Sequence, residues 1–359
     1  MAQLFGREWT KKDLSRRMGR LSQVGGVRQF VFTDGAANGM RAAEVKTGSG
    51  LNFTILLDRA MDIGAADFAG YPLNWESGVG YVHPAFFQHG GTQWLRTFGG
   101  GLVTTCGLSN VGVPNVDEGK EYSLHGVITA SPAENVRIEQ CWKGEDLEMS
   151  VSGTMRETSV FGPDLRMDRL IWTRLGEKKI FIEDCITNEG EINTPLMFLY
   201  HINIGWPIVD EDTLFILPSK KLTPRDAESE SDKDNFDIFQ APQKGFKEKV
   251  YFHQMIADAA GYVPIAVVNP KLRNMCFGIY IKYTISEMPR FTQWKMLGEG
   301  AYVLGLEPGN CNVLGRAEER KRGTLQIIHP GESKTFHLEI GVINTPEELN
   351  QISDLVNNL

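Results

Sequence analysis

The sequence predicts an all-β fold, a single large antiparallel β-sandwich. Three observations carry this: period-two alternation in short runs, connections too short to join parallel strands, and helical patterning confined to the ends. Leu51, Phe53, Ile55 and Leu57 alternate with Asn52 and Thr54, which reads as a strand with one buried face. Val136 and Ile138 alternate with Arg137 and Glu139, turn residues 143–146 follow, and then Leu147, Met149 and Val151 alternate with Glu148, Ser150 and Ser152. That order is a hairpin, because a short glycine-containing turn reverses the chain at once. Residues 170–173 and 179–186 make a second such pair across Gly176 and Glu177. Connections of this length leave only antiparallel neighbours. Near the end, Phe336, Leu338, Ile340 and Val342 alternate with His337, Glu339 and Gly341 as a further half-buried strand.

Helical signals are few. Thr10 caps a predicted helix over 11–21, and Thr345-Pro346-Glu347-Glu348 opens another that carries Leu349, Ile352, Leu355 and Val356 on one stripe. The polar run 225–237 reads as a solvated loop inside the β domain, since strand patterning continues on both sides. No fixed-period repeat is visible, which weighs against propellers and solenoids. The expected organisation is one domain over 1–359, with an N-terminal extension (1–37) bearing a short helix and a C-terminal helix over 346–359.

Composition narrows the function. The 359 residues are 42% hydrophobic and 23% charged, ample for a large core. Thirty-seven Lys and Arg against 45 Asp and Glu give −8, without a basic block, so nucleic acid is not an expected partner. No apolar run reaches the ~18 residues of a membrane span and the first ten residues lack a signal-peptide core, so neither a membrane nor secretion is expected and the cytoplasm is the default compartment. Five widely spaced cysteines fit neither a disulfide framework nor a paired metal site and read as reduced, mostly buried thiols. The histidines show no HxH or HxxxH grouping, so no metal site is expected.

The candidate chemistry lies in three segments. His125, in Ser123-Leu124-His125-Gly126, sits where a loop re-enters a strand and can present its ring to a cleft. His201 lies in Tyr200-His201-Ile202-Asn203, where alternation puts Tyr200 and Ile202 on one face and His201 with Asn203 on the other. Such a buried polar pair needs partners. Glu307, in Leu306-Glu307-Pro308, is a carboxylate in an apolar strand, and a desolvated carboxylate acquires a raised pKa suited to proton transfer. Taken singly, each histidine could be a satisfied core residue and Glu307 half of a structural ion pair.

Together, and in this order, the three segments resemble the aldose 1-epimerase (galactose mutarotase) superfamily: Leu124-His125-Gly126 its LHG motif, Tyr200-His201-Ile202-Asn203 its second-histidine strand, Leu306-Glu307-Pro308 its glutamate strand. The similarity runs from about Asn38 to Ile343. Residues 57–64, 100–107 and 293–296 resemble, more narrowly, an uncharacterised bacterial mutarotase-like branch. The resemblance implies a galactose mutarotase-like antiparallel β-supersandwich with short terminal helices and an isomerase acting on a free aldose. It implies His201 as the acid that protonates the ring oxygen, Glu307 as the base at the anomeric hydroxyl, and His125 as a substrate-orienting group, with no cofactor. A further acidic position falls on Glu248 in Glu248-Lys249-Val250-Tyr251, where this chain has Glu for Asp.

The superfamily's arginine before the LHG segment has no counterpart in 101–112. Arg59, flanked by Asp58 and Asp62, is read with Asp62 as a candidate for binding sugar hydroxyls, the alternative being a structural Asp–Arg pair. Trp294 could stack on a sugar ring or belong to the core or an interface. The expected partner is a small-molecule carbohydrate, a homo-oligomer being allowed. The competing function is a non-catalytic sugar-binding or sugar-sensing β-sandwich, since a fold by itself does not imply turnover.

Overall fold

The computed structural model describes residues 1–272 and 275–359. Two antiparallel sheets dominate. An eight-stranded sheet runs in the order Glu134–Lys143, Asp146–Thr158, Asp164–Arg174, Lys179–Asn188, Ser333–Ile343, Met275–Thr284, Tyr262–Leu272 and Leu214–Ile216. In the twelve-stranded sheet the central neighbours are Lys249–Met255, Arg290–Gly298, Ala301–Gly309, Thr194–Gly205, Val103–Leu108, Asp62–Phe68 and Leu51–Leu56. The expected hairpins are present. Lys143 pairs with Asp146 across a two-residue turn, and Leu170 pairs with Glu183 in the next hairpin.

Apolar faces of the two sheets meet in the main core, where Phe53, Ile55, Tyr200 and Ile202 pack with Ile171, Ile182, Leu338 and Ile340. The larger sheet is also covered on its other face. There Trp94, Phe98, Cys106, Leu199, Val250 and Val313 form a second, smaller cluster. Thr194–Gly205, central in that sheet, is therefore buried along its whole length, and its alternate side chains point into two different interiors. The second interior holds the site.

Two expectations need correction. The first helix spans only Lys11–Ser15, with Thr10 Oγ1 accepting from the Asp13 amide at 3.0 Å. Leu14 is its one buried residue, so little packing supports further turns, and Leu21 starts a separate 3-10 turn. The polar run after Pro224 is a packed cover rather than a free loop. It contains a short helix, Ala227–Glu230, and it is tied to the sheet beneath by Lys295 Nζ donating to Asn235 O at 2.7 Å and Gln293 Nε2 donating to Phe236 O at 2.6 Å. Lys295 is fully buried, so the Asn235 carbonyl, with the Asp232 carboxylate 3.5 Å away, stands in for the water it has lost. The C-terminal helix, Pro346–Asn357, is capped by Thr345, and Leu349 and Ile352 pack on the sheet. No helix among the described residues is long and apolar enough to cross a membrane.

Candidate functional site

The pairing register assembles the centre. Leu199 pairs with Gly309 and Ile202 with Leu306, which sets His201 opposite Glu307 on the face turned away from the main core. His201 Nε2 lies 3.4 Å from Glu307 Oε1, and both residues are buried, at 4% and 3% exposure. Gly305, two residues before Glu307, leaves the room they need. A Cβ there would stand 3.0 Å from Trp294 Cβ and 3.1 Å from Glu307 Oε1, so the missing side chain lets the indole and the carboxyl group share one patch of sheet.

His125 arrives from a loop and adopts a left-handed backbone, φ 55°. Such conformations cost energy in a non-glycine residue and persist where surrounding contacts enforce them. Here the Gly107 amide donates to His125 O at 3.0 Å and the His125 amide to Gly112 O at 2.9 Å. The Gly112 amide also donates to His125 Nδ1 at 3.4 Å, which leaves Nε2–H as the free donor of the neutral ring. Gly126 is needed for this re-entry: φ is +74°, and a Cβ would fall 2.3 Å from Gly107 O and 2.6 Å from Asn110 O. Gly126→Ala is expected to destabilise the fold by about 1–3 kcal/mol, measured by denaturant unfolding; an unchanged midpoint would show that the loop accommodates the methyl group.

The rings of His125 and His201 are 5.6 Å apart, edge to face. Phe98 lies 5.3 Å and Trp294 5.5 Å from the His201 ring, while Trp94 stacks on Phe98 at 4.3 Å and sits 4.8 Å from His125. These groups line an open cavity of about 550 Å³, together with Trp75, Arg225 and Glu248. Arg225 Nη2 donates to Glu248 Oε1 at 2.9 Å, and Trp294 Nε1 donates to the other Glu248 oxygen at 2.9 Å.

Burial reorders the proton affinities. It lowers the His201 pKa to about 4 against the opposing pull of the Asn203 side chain, and it lowers His125 to about 3, helped by the neighbouring His201. Glu307 is pushed up to about 8 by burial and by the Glu248 charge, with Arg225 acting in the other direction. Across neutral pH the His201–Glu307 pair therefore holds one proton, and burial favours it on Glu307.

Five of the seven residues singled out from sequence thus line one cavity: His125, His201, Glu248, Trp294 and Glu307. Arg59 and Asp62 do not. Arg59 donates to Val82 O at 2.9 Å and Thr129 Oγ1 at 3.2 Å. Asp62 accepts from the Thr105 amide at 2.9 Å and from the hydroxyls of Thr105 and Thr129 at 2.6 and 2.7 Å. Both are buried beside the main core, where their charges are satisfied within the protein. The guanidinium in the cavity is Arg225, at the head of the polar cover. Trp75, Trp94 and Phe98 were also not singled out, because an aromatic residue in an irregular segment has no periodicity to give it a side. Among the described residues no group of three or more His, Cys, Asp or Glu is placed to hold a metal ion.

Residues 37–342 match the family described as "Domain of unknown function (DUF4432)". No curated protein matches the chain. A Klebsiella pneumoniae protein of known structure, named a "putative aldose 1-epimerase", is 26% identical, superposes with a TM-score of 0.87 and shares 92% of this chain and 87% of its own. A galactose mutarotase-like protein from Clostridium acetobutylicum (12% identity, TM-score 0.61, 90% of this chain and 100% of its own) has the same fold. So does a galactose 1-epimerase from Lactobacillus acidophilus (9% identity, TM-score 0.56, 89% and 99%). The architecture is thus the galactose mutarotase-like β-sandwich, and with 37–342 matched the chain belongs to the DUF4432 family.

Proposed function

We propose that the cavity binds a free aldose and interconverts its anomers by acid/base ring opening, as an aldose 1-epimerase-type isomerase. The observation that carries this reading is the buried His201–Glu307 pair, two proton-transfer groups 3.4 Å apart at the floor of an aromatic cleft. Glu307 takes the proton from the anomeric hydroxyl while His201 delivers one to the ring oxygen. The bond from the anomeric carbon to the ring oxygen breaks, and an open-chain aldehyde forms. Rotation about the neighbouring carbon–carbon bond and reversal of both transfers close the ring to the other anomer.

Opening converts imidazolium and carboxylate into imidazole and carboxylic acid, the form that burial favours. That gain only returns the cost of the proton transfer that must precede opening, so it leaves the balance between ring and open chain unchanged. Before opening, the pair's proton passes from Glu307 to His201. His125, neutral with Nε2–H free, donates to a sugar oxygen, and Glu248, fixed by Arg225 and Trp294, accepts from a hydroxyl.

Either tautomer of the pair needs one proton, so kcat/KM is expected to be bell-shaped. It should fall below about pH 4 as His201 gains a proton while Glu307 keeps its own, because no base remains. It should fall above about pH 8 as the last proton leaves, because no acid remains. A rate still climbing well above pH 8 would contradict the shared-proton pair. The function itself is tested by NMR exchange between the anomers of a panel of free aldoses. Acceleration for at least one sugar is expected; thermal stabilisation by sugars with no acceleration for any would make the protein a binder.

A further inference from the structure

Two buried polar atoms on successive same-face positions of Thr194–Gly205 have no hydrogen-bond partner among the described residues: His201 Nδ1 and Asn203 Oδ1. Each has given up water without a replacement. The amide of Asn203 is fixed. Its Nδ2 donates to Gly101 O and to His201 O, at 3.0 Å each, which uses both amide protons. Turning the amide over would set Oδ1 against those two carbonyl oxygens. Asn203 is fully buried and does not line the cavity, so no sugar hydroxyl reaches Oδ1 and its partner must come from the protein.

The His201 ring is the neighbouring donor. Asn203 already acts on it as a hydrogen-bonding group that favours its protonated form. Nδ1 and Oδ1 are out of bonding alignment in the structure, and with the amide tied down it is a small turn of the imidazole that aligns them. Of the other titratable groups around the ring, His125 is neutral at 5.6 Å, Cys106 is kept a thiol by burial, and Arg225 and Glu248 pair with each other; none bonds to Nδ1. Which nitrogen carries the proton decides what the ring can do, since a neutral imidazole has one N–H and one bare nitrogen. With the proton on Nδ1, Nε2 turns its lone pair to protonated Glu307, 3.4 Å away, and can take that proton. With the proton on Nε2, two donors face each other and the transfer that precedes ring opening is blocked.

We infer that Asn203 is a positioning residue: its Oδ1 accepts from His201 Nδ1–H, which holds the neutral ring in one tautomer and leaves Nε2 bare towards Glu307. The inference rests on reading His201 and Glu307 as the acid and base of the proposed reaction, and it adds what fixes the form of the acid. Protonated Glu307 favours the same tautomer by offering its proton to Nε2, so the test must separate the two influences. It reads the tautomer from the nitrogen-15 resonances of the His201 ring, assigned against His201→Asn, in the intact chain at neutral pH. The amide of Glu307→Gln can serve either form of the ring, so this variant leaves the choice to Asn203.

In the unaltered protein and in Glu307→Gln the proton is expected on Nδ1, two measurements that need no change at Asn203. Adding Asn203→Ala to Glu307→Gln should move it to Nε2. In anomer exchange, Asn203→Ala alone should lower kcat by about 10- to 100-fold with KM nearly unchanged, because Asn203 does not touch the sugar. Asn203→Asp should keep most of the rate, since a carboxyl group buried beside those two carbonyls holds a proton and still offers one acceptor oxygen. A proton on Nε2 in Glu307→Gln would overturn the inference. So would an Nδ1 proton that survives the addition of Asn203→Ala, or a rate lost equally in Asn203→Ala and Asn203→Asp, which would place the effect in the Nδ2 bonds. The expected tautomers without exchange of any sugar would leave the inference standing and overturn the catalytic reading; exchange by the unaltered protein with an Nε2 proton in Glu307→Gln would do the reverse.

Discussion

Replacing Glu307 by Gln is expected to lower kcat for anomer exchange by about 10²- to 10⁴-fold, and replacing His201 by Asn to do the same, because each removes one of the two proton-transfer groups. Gln keeps the shape of Glu307 beside Trp294 and above Gly305, so the cavity survives while its base is lost. Binding should suffer less than turnover, since an amide still hydrogen-bonds a hydroxyl. The two losses should not add. Once one member is gone the proton can no longer pass between a base and an acid, so the double variant should be little slower than either single one. The pH profile supplies an independent reading: Glu307→Gln should lose the limb near pH 8 and His201→Asn the limb near pH 4. Near-normal exchange in both folded variants would place the chemistry elsewhere in the cavity.

The second large effect concerns stability. Arg169, fully buried, comes from the eight-stranded sheet and donates through Nε and Nη2 to the two carboxylate oxygens of Asp184, at 2.7 Å each. Its Nη1 crosses to the other sheet, donating to Thr105 Oγ1 at 2.8 Å and Ala60 O at 2.9 Å, with Asp62 3.6 Å away. Tyr200, the neighbour of His201, donates its hydroxyl to Asp184 at 2.5 Å. Arg169→Met would leave Asp184 and Asp62 buried without their cation, and removing one partner of such a pair costs about 3–5 kcal/mol. Denaturant unfolding at neutral pH is the measurement, and a loss below about 1 kcal/mol would mean that water reaches the network. Replacing Asp184 by Leu in the same chain should recover part of the loss, since an apolar substitute of the pair carries no desolvation penalty.

The network also shows why Arg59 and Asp62 could not be placed from sequence. The segment Asp58-Arg59-Ala60-Met61-Asp62 reads equally as a guanidinium offered to a sugar hydroxyl and as a structural Asp–Arg pair. In the structure it lies under the covering segments, and its charges meet Thr105, Thr129 and Arg169, which are distant in sequence. Arg225 presents the reverse case. It opens a polar run indistinguishable in composition from a solvated loop, and it is the pairing of Ser219–Pro224 with Lys249–Met255, continued by the Arg225 amide donating to Val250 O at 2.9 Å, that brings its guanidinium to Glu248.

What the chain determines by itself is local. Alternation and short turns specify antiparallel strands, parity along Thr194–Gly205 puts His201 and Asn203 on the face opposite Tyr200 and Ile202, and a carboxylate in the apolar run before Pro308 marks Glu307. Side-chain parity is a property of the extended backbone and needs no partner strand to be read. What only the tertiary structure decides is non-local: the register that sets Glu307 against His201, the second layer of Trp94 and Phe98 that desolvates both, and which arginine reaches the cavity. Register and burial are fixed by the free energy of the whole assembled sheet and its cover. Proton affinity in turn follows burial, and so the inverted order of His201 and Glu307 appears only once the chain has folded around them.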